Sequence, residues 1–269
     1  MIENINKGLT MTDNQKELQK IEKEKHRQIV KLVTHSFYKE LVNYGVDQSD
    51  IINVSTQLLD HVLQKKPIEN NGAYRDDFDV SRIDDRWQIE KKIILGDVHI
   101  EPLKTNHIAV VCEWLKQREI SQTFIRFLPQ KKEKLEQYLI HTSDHQFFAV
   151  KYLQDHFVGI IGAENIDPMN KKLEMKKFIG ASEFRNRGIG KLSTFLFLYY
   201  VFEILQFQKI YIHSLDTNIK NININSKFGF ELEGILYSEV LIDGKAHDVL
   251  RMSLLRNKWT SLFDNNAAS

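Results

Sequence analysis

The stretch from Lys176 to Lys191 constrains this chain more than any other. An apolar run ends at Phe178-Ile179-Gly180, and a short basic loop follows through Arg185-Asn186-Arg187. Gly188-Ile189-Gly190-Lys191 then opens a strongly apolar segment from Leu192 to Phe207. That order reads as a strand, a glycine-bearing turn and the start of a helix. The first amides of a helix lack intrahelical partners, and with the helix dipole they make a ready anion site. Arg185, Arg187 and Lys191 add positive charge. The expected guest is a phosphate or pyrophosphate. Arg-x-x-Gly-x-Gly alone is a weak signal, because solvated Gly/Arg turns are common, so its neighbours must decide.

Composition narrows the field mainly by exclusion. A hydrophobic share of 42% and a charged share of 27% are those of an ordinary globular protein. A formal net charge of +1 gives no reason to expect nucleic-acid binding. The single cysteine, Cys112, cannot close an internal disulfide and no cysteine-based metal site is expected. No apolar run reaches the roughly 18–20 residues of a membrane span, and no signal peptide is evident. A cytoplasmic protein without metal or membrane partner is the expectation.

At 269 residues the chain suits one large domain or two smaller ones. Residues 1 to about 14 read as disordered. Lys16 to Tyr44 carries apolar residues at three- and four-residue steps (Ile29, Leu32, Val33, Phe37, Leu41), with Gly45 as its stop. A second helix capped by Ser49 runs to Pro67, giving an αα-hairpin whose apolar faces cover other parts of the chain or a second subunit, as in a homodimer. Tyr74 to Trp87 reads as a short helix or structured linker. A domain boundary is placed near residue 90, separating a helical region, 1–90, from a second domain, 91–269.

Beyond it strands and helices alternate. Strands are expected at 92–95 and 98–103, helices at 106–118 and 130–141, and a hairpin at 146–152 and 157–165. The strand 173–179 leads into the basic loop and its helix. A short strand at 209–213, a polar helix at 218–227 and two long strands, 231–239 and 246–254, close the pattern, the last pair joined through Asp243-Gly244.

This order is specific, and so is Arg-x-x-Gly-x-Gly followed by Asn218 and then Gly229-Phe230. From about residue 95 to 260 the chain resembles the GNAT superfamily of acetyl-CoA-dependent N-acetyltransferases. Its ending, from Asp243-Gly244-Lys245 through Asp248-Val249-Leu250 to Trp259, looks like the branch of ribosomal-protein and aminosugar N-acetyltransferases. The resemblance implies an α/β (α+β) GNAT fold: a mixed, mostly antiparallel sheet splayed in the middle, helices on both faces, here preceded by an N-terminal α-helical extension.

It also implies roles. Backbone amides around Arg187, Gly188, Ile189, Gly190 and Lys191 would hold the pyrophosphate of acetyl-CoA, with Arg185 nearby. The strand end at Phe178 and Ile179 would pair with the pantetheine arm and polarise the thioester carbonyl. Asn218 and its helix would flank the arm's other side. Glu174 sits where many relatives carry a glutamate facing the acceptor, and is the preferred general base; Glu164, His145 and His213 are alternatives. Many relatives place a proton-donating tyrosine where this chain has Asn225, so the general acid is left to Tyr237, to water, or to unaided departure of the thiolate. Asn225 would then offer a hydrogen bond to the cofactor. Phe124 and Phe127 lie in the segment that lines the acceptor cleft of relatives.

The reaction implied is acetyl transfer to a primary amine of a small molecule. A nucleotide-linked amino sugar is preferred on the basic residues Arg126, Lys131, Lys132 and Lys134. A protein or ribosomal N-terminus is the alternative, and a non-catalytic acyl-CoA-binding regulator the second alternative.

Overall fold

In the computed structural model of the protein, the described residues are 13–43, 46–47, 50–51, 78–117, 120, 128–153, 155–215 and 218–263. The chain divides into two compact units, Met1–Lys65 and Lys66–Ser269. In the first, helix α1 runs from Asp13 to Asn43, close to the expected span. Val30, Val33, Phe37 and Val42 stand exposed along it. Residues 1–12, in the stretch expected to be disordered, and nearly all of the second helix of the expected hairpin lie outside the described residues, as do Phe124 and Phe127.

Described residues ahead of residue 90 already pack within the second unit. Phe78 is buried against Phe195, with ring centroids 4.8 Å apart. Strand β1 (Asp84–Arg86) then adds to the sheet beside β2 (Lys92–Leu95), and Trp87, at the start of the short helix α2 (Trp87–Glu90), meets Tyr200 edge-on at 4.7 Å. The described part of the Asp/Arg-rich linker, from Phe78 on, therefore packs in the sheet unit.

From there the chain follows the expected order, with ends moved by one to a few residues. Strand β3 (Val98–Pro102) precedes helix α3 (Ile108–Leu115), and helix α4 (Lys132–Glu136) continues into a π turn, Gln137–His141. Strands β4 (Gln146–Tyr152), β5 (His156–Asp167) and β6 (Lys172–Ile179) follow. Helix α5 (Ile189–Tyr199) also ends in a π turn, Tyr200–Ile204. Strand β7 (Lys209–Leu215), helix α6 (Ile219–Lys227), strands β8 (Glu231–Ile242) and β9 (Lys245–Leu255) and helix α7 (Arg256–Phe263) complete it.

The described strands form one sheet in the order β1-β2-β3-β4-β5-β6-β7-β9-β8. Every neighbouring pair is antiparallel except β6 and β7. The β8–β9 turn is tight because Asp243 and Gly244 both take positive φ, 50° and 78°, as a type I′ hairpin requires. Helix α5 is mostly apolar, and it is buried from Ser193 to Leu198. Thr194, Phe195, Leu196, Phe197 and Leu198 are all fully buried in it. Trp259 fixes α7 against that core: its ring stacks on Phe202 at 5.6 Å, and its indole N–H donates to Glu203 at 2.8 Å.

Candidate active site

One irregularity organises the site. Strands β6 and β7 pair only at Lys172↔Lys209, Leu173↔Ile210 and Glu174↔Tyr211. Beyond Glu174, β6 stays with β5 as far as Ile179, while β7 stays with β9 as far as Leu215. The sheet is thereby split into a wedge. Alternation along a strand sends successive side chains to opposite faces, so Glu174 and Lys176 face one side of the wedge and Met175 and Lys177 the other.

The cradle lies where β6 ends. Asn186 and Gly188 take left-handed φ of 61° and 79°, and Gly188 is the residue that opens α5. A Cβ is disfavoured in that region, which is why glycine stands at the cap. The amide of Lys191 already bonds the Gly188 carbonyl at 2.9 Å. Those of Ile189 and Gly190 precede the helix's own ladder. Ile179, Arg185, Gly188, Gly190 and Lys191 line a cavity of 540 Å³ here. A Cβ at Gly190 would come no closer to the protein than 3.8 Å, at Ile179, so the space beside it is open to a ligand. This geometry fits the pyrophosphate of coenzyme A.

The basic residues of the loop divide their work. Arg185 donates to the carbonyls of Ile179 and Gly180, each at 3.1 Å, and to the side chain of Gln117. It pins the loop to the end of β6. Arg187 lies over the Phe184 ring at 5.4 Å. Lys191 lines the cavity. Gly180 permits a close approach that any side chain would block: a Cβ there would lie 1.9 Å from the Trp114 indole.

On the Glu174 face, four polar residues converge. The carboxylate of Glu174 accepts from Asn165 at 2.9 Å, sits 2.5 Å from Lys176 Nζ, and is 3.0 Å from His213 Nδ1. Burial pushes this carboxyl up, but the hydrogen bond from His213 and the charge and hydrogen bond of Lys176 outweigh it and bring it down to about 2. An ionised carboxylate only accepts hydrogen bonds, so His213 must donate its Nδ1–H, and its basic lone pair is on Nε2. Glu164 is the cross-strand neighbour of Glu174 and shares Lys176 at 3.7 Å. His145 is tied to the Tyr138 carbonyl at 2.8 Å.

On the other face, Lys177 reaches between two helices. Its Nζ donates to Thr194 of α5 at 2.7 Å and to Asn225 of α6 at 3.0 Å. Asn225 is fully buried, and its own NH₂ is used on Asn221. Burial pushes the Lys177 ammonium down to about 7. Lys177, Phe178, Ile179, Ser193 and Asn221 line a second cavity of 150 Å³. It shares Ile179, Gly190 and Ile224 with the larger one. Asn218 caps α6 by accepting from the Asn221 amide at 3.3 Å. Tyr237 is 75% exposed on β8 and lines neither cavity.

The sequence-level residues Phe178, Ile179, Gly188, Ile189, Gly190 and Lys191 thus gather around two adjoining cavities, with Asn225 behind them. Lys177 belongs to no motif of the sequence. The available signal was a lysine placed between Met175 and Ile179 on the buried face of a strand.

A splayed sheet of this order, with a glycine-rich anion cradle after the strand that ends the parallel pair, is the architecture of the acetyltransferase class that the sequence resembles. The family model described as Acetyltransferase (GNAT) domain matches residues 97–231. The chain belongs to this family of N-acetyltransferases. A spermidine N(1)-acetyltransferase of Vibrio cholerae is 31% identical over 120 residues, 45% of this chain and 69% of that protein. A Bacillus subtilis protein, YdaF, provisionally named a ribosomal N-acetyltransferase, is 31% identical over 101 residues, 38% of this chain and 55% of that one. The crystal structure of the Vibrio cholerae spermidine enzyme with CoA and spermine superposes with a TM-score of 0.57 at 25% identity, covering 61% of this chain and 98% of that one.

Proposed function

We propose that this chain transfers the acetyl group of acetyl-CoA to the primary amine of a small molecule. The observation that carries the proposal is the parting of β6 and β7 beyond Glu174, with an anion cradle at one end of the opening and the Glu174–His213 pair at the other. The amides of Ile189 and Gly190 would bind the pyrophosphate. The edge of β6 beyond Glu174 would pair with the pantetheine arm, and an N–H there would polarise the thioester carbonyl, an oxyanion-type contribution.

An amine attacks only when neutral. A carboxyl held at about 2 is a feeble base by itself, so the proton passes to His213. Glu174 contributes as the carboxylate that orients the ring and balances the imidazolium. The neutral amine nitrogen bonds to the thioester carbon, the carbon–sulfur bond breaks with its electron pair on sulfur, and the remaining extra proton on nitrogen is released to water as the amide forms.

The first acceptor to try is a polyamine, as in the spermidine-acetylating relatives. A nucleotide-linked amino sugar is the second, favoured by Lys131, Lys132 and Lys134, all exposed at the start of α4. Thiol release from acetyl-CoA, followed across polyamines, nucleotide amino sugars and N-terminal peptides, separates them. Failure to bind coenzyme A, with no thiol release for any acceptor, would refute the proposal.

A further inference from the structure

We propose that Lys177 is the proton donor to the thiolate that leaves when acetyl-CoA is cleaved; this rests on the acetyl-transfer reading above. The argument starts from where the thiol arm must run. A pyrophosphate in the larger cavity fixes one end of the donor. The smaller cavity continues from it through Ile179, Gly190 and Ile224, and Lys177 forms part of its wall with Ser193 and Asn221. Alternation puts Lys177 on the face of β6 opposite Glu174. The amine's proton is therefore removed on one face of the wedge, and the sulfur is protonated from the other.

The surroundings of Lys177 are those of a donor and not of an ion pair. Its two contacts, Thr194 from α5 and Asn225 from α6, are uncharged oxygens. The Thr194 hydroxyl is itself committed to the Gly190 carbonyl at 2.6 Å, and the Asn225 amide to Asn221, so each can only accept from the lysine. Met175 and Ile179, its neighbours on the same face of β6, and Ile160 on β5 bring no charge. Burial without a carboxylate weakens the hold on the proton, and Nζ titrates near neutrality as a result. Two of its three N–H bonds point at fixed acceptors, which leaves one for the sulfur. In the step, the Nζ–H bond breaks and the S–H bond forms. Coenzyme A leaves as the thiol, Lys177 is left as the neutral amine, and it is recharged by a proton from water.

The test compares the full-length protein with Lys177→Met, Lys177→Arg and Asn225→Asp. Met removes the proton; Arg keeps the cation but holds its proton too tightly to give it. Both should lower kcat by about 100-fold or more, with coenzyme A affinity within a few-fold of the parent by calorimetry. A second readout needs no turnover. The thiol of bound coenzyme A, followed by thiolate absorbance, should ionise at lower pH beside the Lys177 ammonium than in Lys177→Met. Asn225→Asp is isosteric and places a carboxylate on the lysine. It should carry the alkaline fall of kcat, expected near pH 7 in the parent from the lowered Lys177 ammonium, to higher pH. Parent-like kcat in a folded Lys177→Met or Lys177→Arg, or an unmoved alkaline limb in Asn225→Asp, overturns the assignment and leaves the acetyl-transfer reading intact. A parent protein that neither binds coenzyme A nor releases thiol defeats both.

Discussion

Replacing Glu174 by glutamine tests both the energetics and the chemistry of the wedge. The carboxyl titrates at about 2 in the folded protein against an ordinary 4.5. At 1.36 kcal/mol per pKa step, ionised Glu174 contributes about 3 kcal/mol to folding near neutrality. The side chain is 4% exposed, so little of this is lost to solvent screening. Breaking a buried pair by removing one partner costs a similar 3–5 kcal/mol or so, because Lys176 and His213 are left facing an amide. For a unit of this size that is a drop in melting temperature of roughly 6–12 °C.

The sign with pH follows from the direction of the shift. A folded-state pKa below the unfolded one stabilises above the unfolded value, and the benefit is lost as pH falls through the folded value. The gap in stability between parent and Glu174→Gln should be full at pH 7, shrink from about pH 4.5 downward, and vanish near pH 2. Paired thermal or denaturant melts across that range measure it. On the chemical side, kcat should fall by about 100-fold, since the imidazolium loses its counter-charge and the ring its orientation. A gap under about 1 kcal/mol, or one that does not change with pH, refutes the electrostatic account. Parent-like turnover refutes the catalytic one.

Other substitutions probe the remaining parts. Gly188→Val forces a β-branched residue to φ near 79°; it should cost about 1–3 kcal/mol and abolish coenzyme A binding by calorimetry. Gly180→Ala drives a methyl into Trp114 and should destabilise by about 1–3 kcal/mol. It should also weaken donor binding, because Arg185 holds the loop through the Gly180 carbonyl. Tyr237→Phe alters an exposed side chain and should change kcat by no more than about twofold; a large loss would restore Tyr237 as the general acid.

The local pieces of this protein are legible along the chain. Alternation and helical periodicity marked the strands and helices of the sheet unit to within a few residues. Gly188 and the Asp243-Gly244 pair announced turns whose positive φ few other residues tolerate. Such signals are legible because their cause lies within a few residues of chain. Pairing between distant segments leaves no such local trace. Packing of the whole chain settled that β1 joins the sheet and that β6 and β7 part just beyond Glu174. The site follows the same division. The cradle is a contiguous loop and could be read directly. The contacts that set its chemistry join residues far apart in sequence: Glu174 to His213 across 39 positions, Lys177 to Asn225 across 48, Arg185 to Gln117 across 68. Burial and those partners, set by packing and absent from composition, make one carboxyl a fixed anion and bring one lysine to the edge of neutrality.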